Sequence, residues 1–173
     1  MKTKRVLAGV TATIGLLAGS GALAVDQSFT VNLTIEAACV VGAGSDMTFT
    51  TSGYLTSASL DADGTFMVGC TKGTQPTITL NDGLNSVNCP AGGTRCMKRG
   101  ATSDYVNYDL YTNSGRTTAW TSALSTTPVT GTGALASGAP AKDQTVTVYG
   151  RVPPQDTPGP GAYTDTVTAT VTF

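Results

Sequence analysis

From Ser28 onward the chain alternates. Phe29, Val31, Leu33 and Ile35 are apolar, and Ser28, Thr30, Asn32 and Thr34 between them are polar. The last residues repeat the pattern, with Val167, Ala169, Val171 and Phe173 set against Thr166, Thr168, Thr170 and Thr172. A β-strand sends successive side chains to opposite faces, so each run predicts a strand with one apolar and one wet face. Shorter runs at Thr65–Cys70, Thr77–Leu80, Tyr105–Tyr111 and Thr145–Val152 read the same way. No stretch carries apolar residues at helical spacing over a useful length.

Turn chemistry separates the runs. Asp63-Gly64, Asn81-Asp82-Gly83, Asn113-Ser114-Gly115 and Pro158-Gly159-Pro160-Gly161 are all breakers. Short strands between Gly/Pro turns, with no helices, predict an all-β sandwich of two packed sheets. Residues 121–142 are rich in Thr, Ser, Gly, Ala and Pro and are read as a long connection, with one short strand near Val129–Leu135.

Composition changes the picture first at the N-terminus. Met1-Lys2-Thr3-Lys4-Arg5 is basic, Val6 to Leu23 is apolar and small, and Ala22-Leu23-Ala24 is an A-x-A site. That order is the grammar of a secretory signal peptide over residues 1–24, cleaved before Val25. Gly9, Gly15, Gly19, Ser20 and Gly21 dilute the stretch and argue against a membrane anchor. Removing the leader's three basic residues leaves seven Lys and Arg against eleven Asp and Glu, a net charge of about −4. Without a basic stripe, nucleic acid is not expected as a partner.

The four cysteines, Cys39, Cys70, Cys89 and Cys96, all follow the leader. An even number in an oxidising compartment predicts disulfides. Of three possible pairings, Cys39–Cys70 with Cys89–Cys96 fits the strand pattern. The first would pin the start of the chain to a sheet, and the second would clip the loop around Pro90-Ala91-Gly92-Gly93. With no histidine and no C-x-x-C, a zinc site would need all four thiolates at odd spacing, so no metal or other cofactor is expected.

The missing histidine also excludes Ser-His-Asp and Cys-His catalysis, and no catalytic residue is expected. Asp61-x-Asp63-Gly64 lacks the later ligands of a calcium loop and is read as a turn. Asn32-Leu33-Thr34 matches a glycosylation sequon but lies within the strand pattern. Arg95, Lys98 and Arg99 are read as a solvated hairpin face.

The two ends are the unusual feature. An amphipathic strand precedes the first cysteine, and the sequence stops on another. A strand at a sheet edge pairs with something. From the pattern alone, the first strand either folds back into its own domain or pairs elsewhere.

Several stretches together resemble the spore coat protein U domain family, which includes pilins of the archaic chaperone–usher pathway. They are Phe29–Cys39, Phe66–Gly73, Ile78–Gly83, Tyr105–Trp120, Val148–Pro153 and Gly161–Phe173. The N-Y-D-L-Y-T-x-x-G-R-T-x-x-W block and the Y-G-R-V-P and G-x-Y-x-D-T-V runs are the most specific. The second cysteine pair is not a feature of every member.

The resemblance implies an immunoglobulin-like sandwich lacking its final strand, completed by donor-strand exchange. The domains would be a donor strand over 25–36 and the sandwich over 37–173. Phe29, Val31, Leu33 and Ile35 would be the donor residues. Val167, Ala169, Val171 and Phe173 would border the acceptor groove and the chaperone contact. Implied partners are identical or related pilin subunits, a periplasmic chaperone and an outer-membrane usher. Implied localisation is the periplasm and then a surface pilus. The alternative is a non-polymerising secreted coat or adhesive module of the same fold.

Overall fold

The structure, a computed structural model, describes residues 23–51, 53–133 and 144–173. The signal peptide over 1–24 therefore lies almost wholly outside the described residues. The chain divides into two units, Met1–Thr34 and Ile35–Phe173. In the first, residues 23–34 carry no regular secondary structure.

The second unit is all-β. Its strands are β1 (Cys39–Ser45), β2 (Leu60–Cys70), β3 (Thr77–Leu80), β4 (Arg95–Lys98), β5 (Tyr105–Tyr111), β6 (Gln144–Val152) and β7 (Ala169–Thr172). Five strands form one sheet in the order β1-β2-β6-β5-β4, and β3 pairs with β7 in a second. All pairings are antiparallel. The described residues contain no helix long and apolar enough to cross a membrane.

The alternation explains these strands. In β5, Val106, Tyr108 and Leu110 are buried and the residues between them are not. In β6, Val146, Val148 and Val152 face the same core. Ile78 and Leu80 of β3 meet them from the second sheet, and Trp120 lies buried in the same cluster. Burying such side chains is worth about 1.5–3 kcal/mol each, which is what holds the two sheets face to face.

Both expected disulfides are present, Cys39–Cys70 and Cys89–Cys96. Cys39 and Cys70 sit opposite each other in the β1–β2 register.

The strand expected at Phe29–Ile35 is not formed, since those residues carry no regular secondary structure, and four further expectations need correction. Asp63-Gly64 is not a turn but lies inside β2. Gly64 is small because Met47 passes over it, and Asp63 is free to bind Arg116 on the outer face. The final strand is shorter than its alternation, covering only Ala169–Thr172, with a bridge from Thr164 to Lys98 before it. Residues 129–133 form no strand, and the rest of Val129–Leu135 lies outside the described residues. The connection is instead tied down by a bridge between Thr126 and Ile78.

The fourth concerns Arg95, which is not solvated but 2% exposed. Its Nε and Nη2 donate to the Asn81 carbonyl, Nη1 donates to the Trp120 carbonyl, and Asp82 lies 3.7 Å away. Burial pulls its guanidinium below the usual value, yet arginine stays charged inside proteins. Its three-way clasp ties β4 to the end of β3, with which β4 shares no sheet. Arg95→Met strands buried carbonyls and is expected to cost on the order of 2–4 kcal/mol. Urea unfolding of Arg95→Met and Lys98→Met checks this, because the second change touches no such clasp and should cost under about 1 kcal/mol.

Candidate functional site: an open groove and an exposed segment

Two segments that join no sheet flank an opening in the sandwich. The first is residues 46–51, which follow β1. The β1–β2 register shifts between Gly42 and Ser45, so the chain leaves the sheet there. Gly44 sits against the backbone of Thr65 and Phe66, where a Cβ would not fit. Met47 and Phe49 then turn inward while Asp46, Thr48 and Thr50 stay exposed. A Cβ on Gly150 would collide with both inward side chains, so that glycine is the seat on which this rim rests.

The second rim is residues 165–168, between the Thr164 bridge and β7. Tyr163, Val167, Ala169 and Val171 are half-buried, and Thr164, Thr166, Thr168 and Thr170 are exposed. Between the rims lies a groove of about 1550 Å³. Its lining includes Met47 and Phe49 from one rim, Tyr163, Val167 and Ala169 from the other, and core residues Leu80, Val106, Tyr108, Leu110, Val148 and Val152. The groove thus reaches down to buried core side chains, and its accessible apolar edge is made by the half-buried Met47, Phe49, Tyr163, Val167 and Ala169.

Of the residues expected at the groove, Val167 and Ala169 line it. Val171 packs against the core cluster further along, and Phe173 is 58% exposed. The sequence reading did not single out Met47, Phe49 or Tyr163. For the first pair a signal existed, since Met47-Thr48-Phe49-Thr50 alternates, but two apolar positions are too few to define a strand.

The other expected residues are found in the open. Phe29 is 84% exposed, Val31 81%, Leu33 84% and Ile35 74%. Within the second unit, the root of this segment is held firmly. Cys39 is disulfide-bonded, the Thr71 N–H donates to the Ala38 carbonyl, and the Ala38 N–H donates to Thr71 Oγ1.

The carboxylates are occupied by arginines. Arg151 donates to both oxygens of Asp61, and Arg116 donates to Asp63 Oδ1 at 2.7 Å. The hydrogen bond from Arg151 holds the Asp61 carboxyl below its usual range. Arg116 also lies over the Tyr149 ring. Among the described residues no cluster of His, Cys, Asp or Glu could hold a metal ion.

The fold and site define an all-β, disulfide-bonded domain with a groove beside its core and an exposed N-terminal segment of alternating apolar and polar residues. The chain belongs to the Spore Coat Protein U domain family, whose profile matches residues 25–170. It is similar to Protein U of Myxococcus xanthus, 34% identical over 186 residues that cover 98% of each chain. Among solved structures it is similar to a chain in the chaperone–tip adhesion subunit pre-assembly complex from the archaic chaperone–usher Csu pili of Acinetobacter baumannii. That match has a TM-score of 0.54 and 27% identity, and covers 81% of this chain. The chain spans 40% of the length of that structural relative.

Proposed function

We propose that this protein is a structural subunit of an archaic chaperone–usher pilus, polymerising by insertion of its N-terminal strand into the groove of the next subunit. The observation that carries the reading is the pair of features on one chain. An apolar groove stands open between two rims that join no sheet, and Phe29, Val31, Leu33 and Ile35 stand exposed on an unpaired segment. Adding a strand between such rims is a known mode of recognition, in which main-chain bonds supply affinity and alternate side chains supply fit. Because donor and acceptor are different surfaces, the contact is head-to-tail and generates a filament rather than a closed dimer.

In this reading Val25 to Glu36 is the donor segment and residues 37–173 are the acceptor domain. A periplasmic chaperone fills the groove first, and an outer-membrane usher oversees exchange for the next subunit. The similarity to a chaperone–subunit complex supports those partners. The subunit is exported to the periplasm and ends in a surface fibre serving adhesion and biofilm formation, with no catalytic role. The near-complete match to Protein U keeps a second reading, a secreted coat or adhesive module whose first strand completes its own sandwich.

Expression tests the choice. Without a chaperone, the mature chain is expected to be degraded or to form oligomers, because core side chains line an unfilled groove. With a periplasmic chaperone of an archaic pathway, it should be recovered as a soluble one-to-one complex. A cooperatively folded monomer that loses nothing when residues 25–36 are deleted would overturn the pilus reading.

A further inference from the structure

Three family-specific stretches singled out in the sequence, around Asn81-Asp82-Gly83, Tyr108 and Asp165, converge on one hydrogen-bonded cluster at the second rim. Tyr108 donates its hydroxyl to Asp165 Oδ2 at 2.6 Å. Asp165 Oδ1 accepts from the Leu84 N–H at 2.9 Å and from Asn85 Nδ2 at 3.0 Å. Asn81 reaches the same rim two ways, donating its N–H to the Thr168 carbonyl and accepting the Thr168 N–H on Oδ1 at 2.8 Å. Gly83, with φ +82°, sits where a Cβ would collide with the Asp165 carboxylate. Asn81 is itself clasped by buried Arg95.

We propose that Tyr108, Asp165 and Asn81 are positioning residues that latch residues 165–168 in place, so that an incoming strand meets a rim already set. Residues 165–168 join no sheet, and only Thr168, whose carbonyl accepts from the Asn81 N–H one rung beyond the β3–β7 pairing, is held by a ladder-like bond. The polar cluster supplies what a ladder would, and it does so beside the groove, since Tyr108 and Asp165 both line it. A rim ordered beforehand spares the incoming strand the cost of ordering it, and that difference is expressed in the rate and affinity of insertion. This inference rests on the donor-strand reading.

The test uses the full mature chain carrying Leu33→Asp, purified as its chaperone complex and then released, so that the chain is recovered folded and its own strand does not compete. The probe is a fluorescent synthetic peptide with the sequence of residues 25–37. Peptide association is followed by anisotropy, and amide hydrogen exchange is measured at residues 164–168 and in β2 and β6. Loss of one charge-assisted hydrogen bond is worth about a factor of ten. Adding Tyr108→Phe should therefore slow association roughly tenfold, and Asp165→Ala, which removes three such bonds, should slow it by more. Asp165→Asn keeps an oxygen acceptor for Leu84 and should recover much of the rate. Exchange should rise at 164–168 and stay unchanged in β2 and β6.

Equal association rates and equal rim protection in parent and variants would overturn the latch. Equal loss of protection in rim and core would also overturn it, making Tyr108 and Asp165 ordinary core supports. If no chain takes up the peptide, the donor-strand reading fails. The exchange data then decide the latch alone, and an unchanged rim in Tyr108→Phe rejects it.

Discussion

Leu33→Asp is expected to abolish fibre assembly while leaving the subunit able to bind its chaperone. Leu33 is the third of four apolar residues on one face of the exposed segment and is 84% exposed in the free chain. The aspartate is therefore harmless to the subunit's own fold. Inside a neighbour's groove, however, it would lie among side chains such as Val148 and Leu110, with no lysine or arginine among the described residues that line it. Burying an unpaired carboxylate costs several kcal/mol even after the group neutralises, enough to cancel the gain from one inserted side chain several times over.

The alternation admits no escape by slippage. A shift of one residue would present Thr30, Asn32 and Thr34 to the groove instead. Asn32→Asp, on the wet face, should be nearly silent. Counting surface pili by electron microscopy, alongside recovery of chaperone-bound subunit, reads both variants. Wild-type fibre numbers from Leu33→Asp would reject donation by this segment. Loss of chaperone binding as well would place the strand within its own domain.

Removing the Cys39–Cys70 disulfide is expected to cost roughly 3–4 kcal/mol, the chain-entropy value for a crosslink over 31 residues. That is a large share of the roughly 5–15 kcal/mol that holds a typical domain. The position sharpens the effect. β1 is an edge strand with Val40 and Val41 both exposed, so packing alone holds it weakly to β2. The bond also fixes the point where the exposed N-terminal segment leaves the domain, next to the Ala38–Thr71 hydrogen bonds. The Cys89–Cys96 bond closes a separation of only 7 and should be worth roughly 2.5 kcal/mol. Urea midpoints of the two double serine variants, each purified with chaperone and then released, compare them. Equal losses, or a larger loss for the short crosslink, would contradict this order.

The all-β class, three strands close to their observed bounds and the cysteine pairing were legible in the sequence because each rests on local chemistry. Period-two alternation marks a strand wherever one face is buried, as in β5 and β6. An even set of four cysteines with no histidine left few partners. The apolar face of Phe29–Ile35 was equally plain, since seven consecutive residues suffice to show the alternation. What stayed hidden depends on residues far apart in the chain. Asp63-Gly64 carries turn chemistry, yet it runs straight through β2 because Met47 needs the space above Gly64 and Arg116 needs the Asp63 carboxylate. Arg95 reads as a surface charge until the ends of β3 and the Trp120 segment bring three carbonyls around it. The rims of the groove are beyond local reading for the same reason. Residues 46–51 and 165–168 are edges only because the tertiary fold carries them to either side of the same open core. Tyr108 and Asp165, 57 residues apart, become one latch only when β5 and the last segment meet.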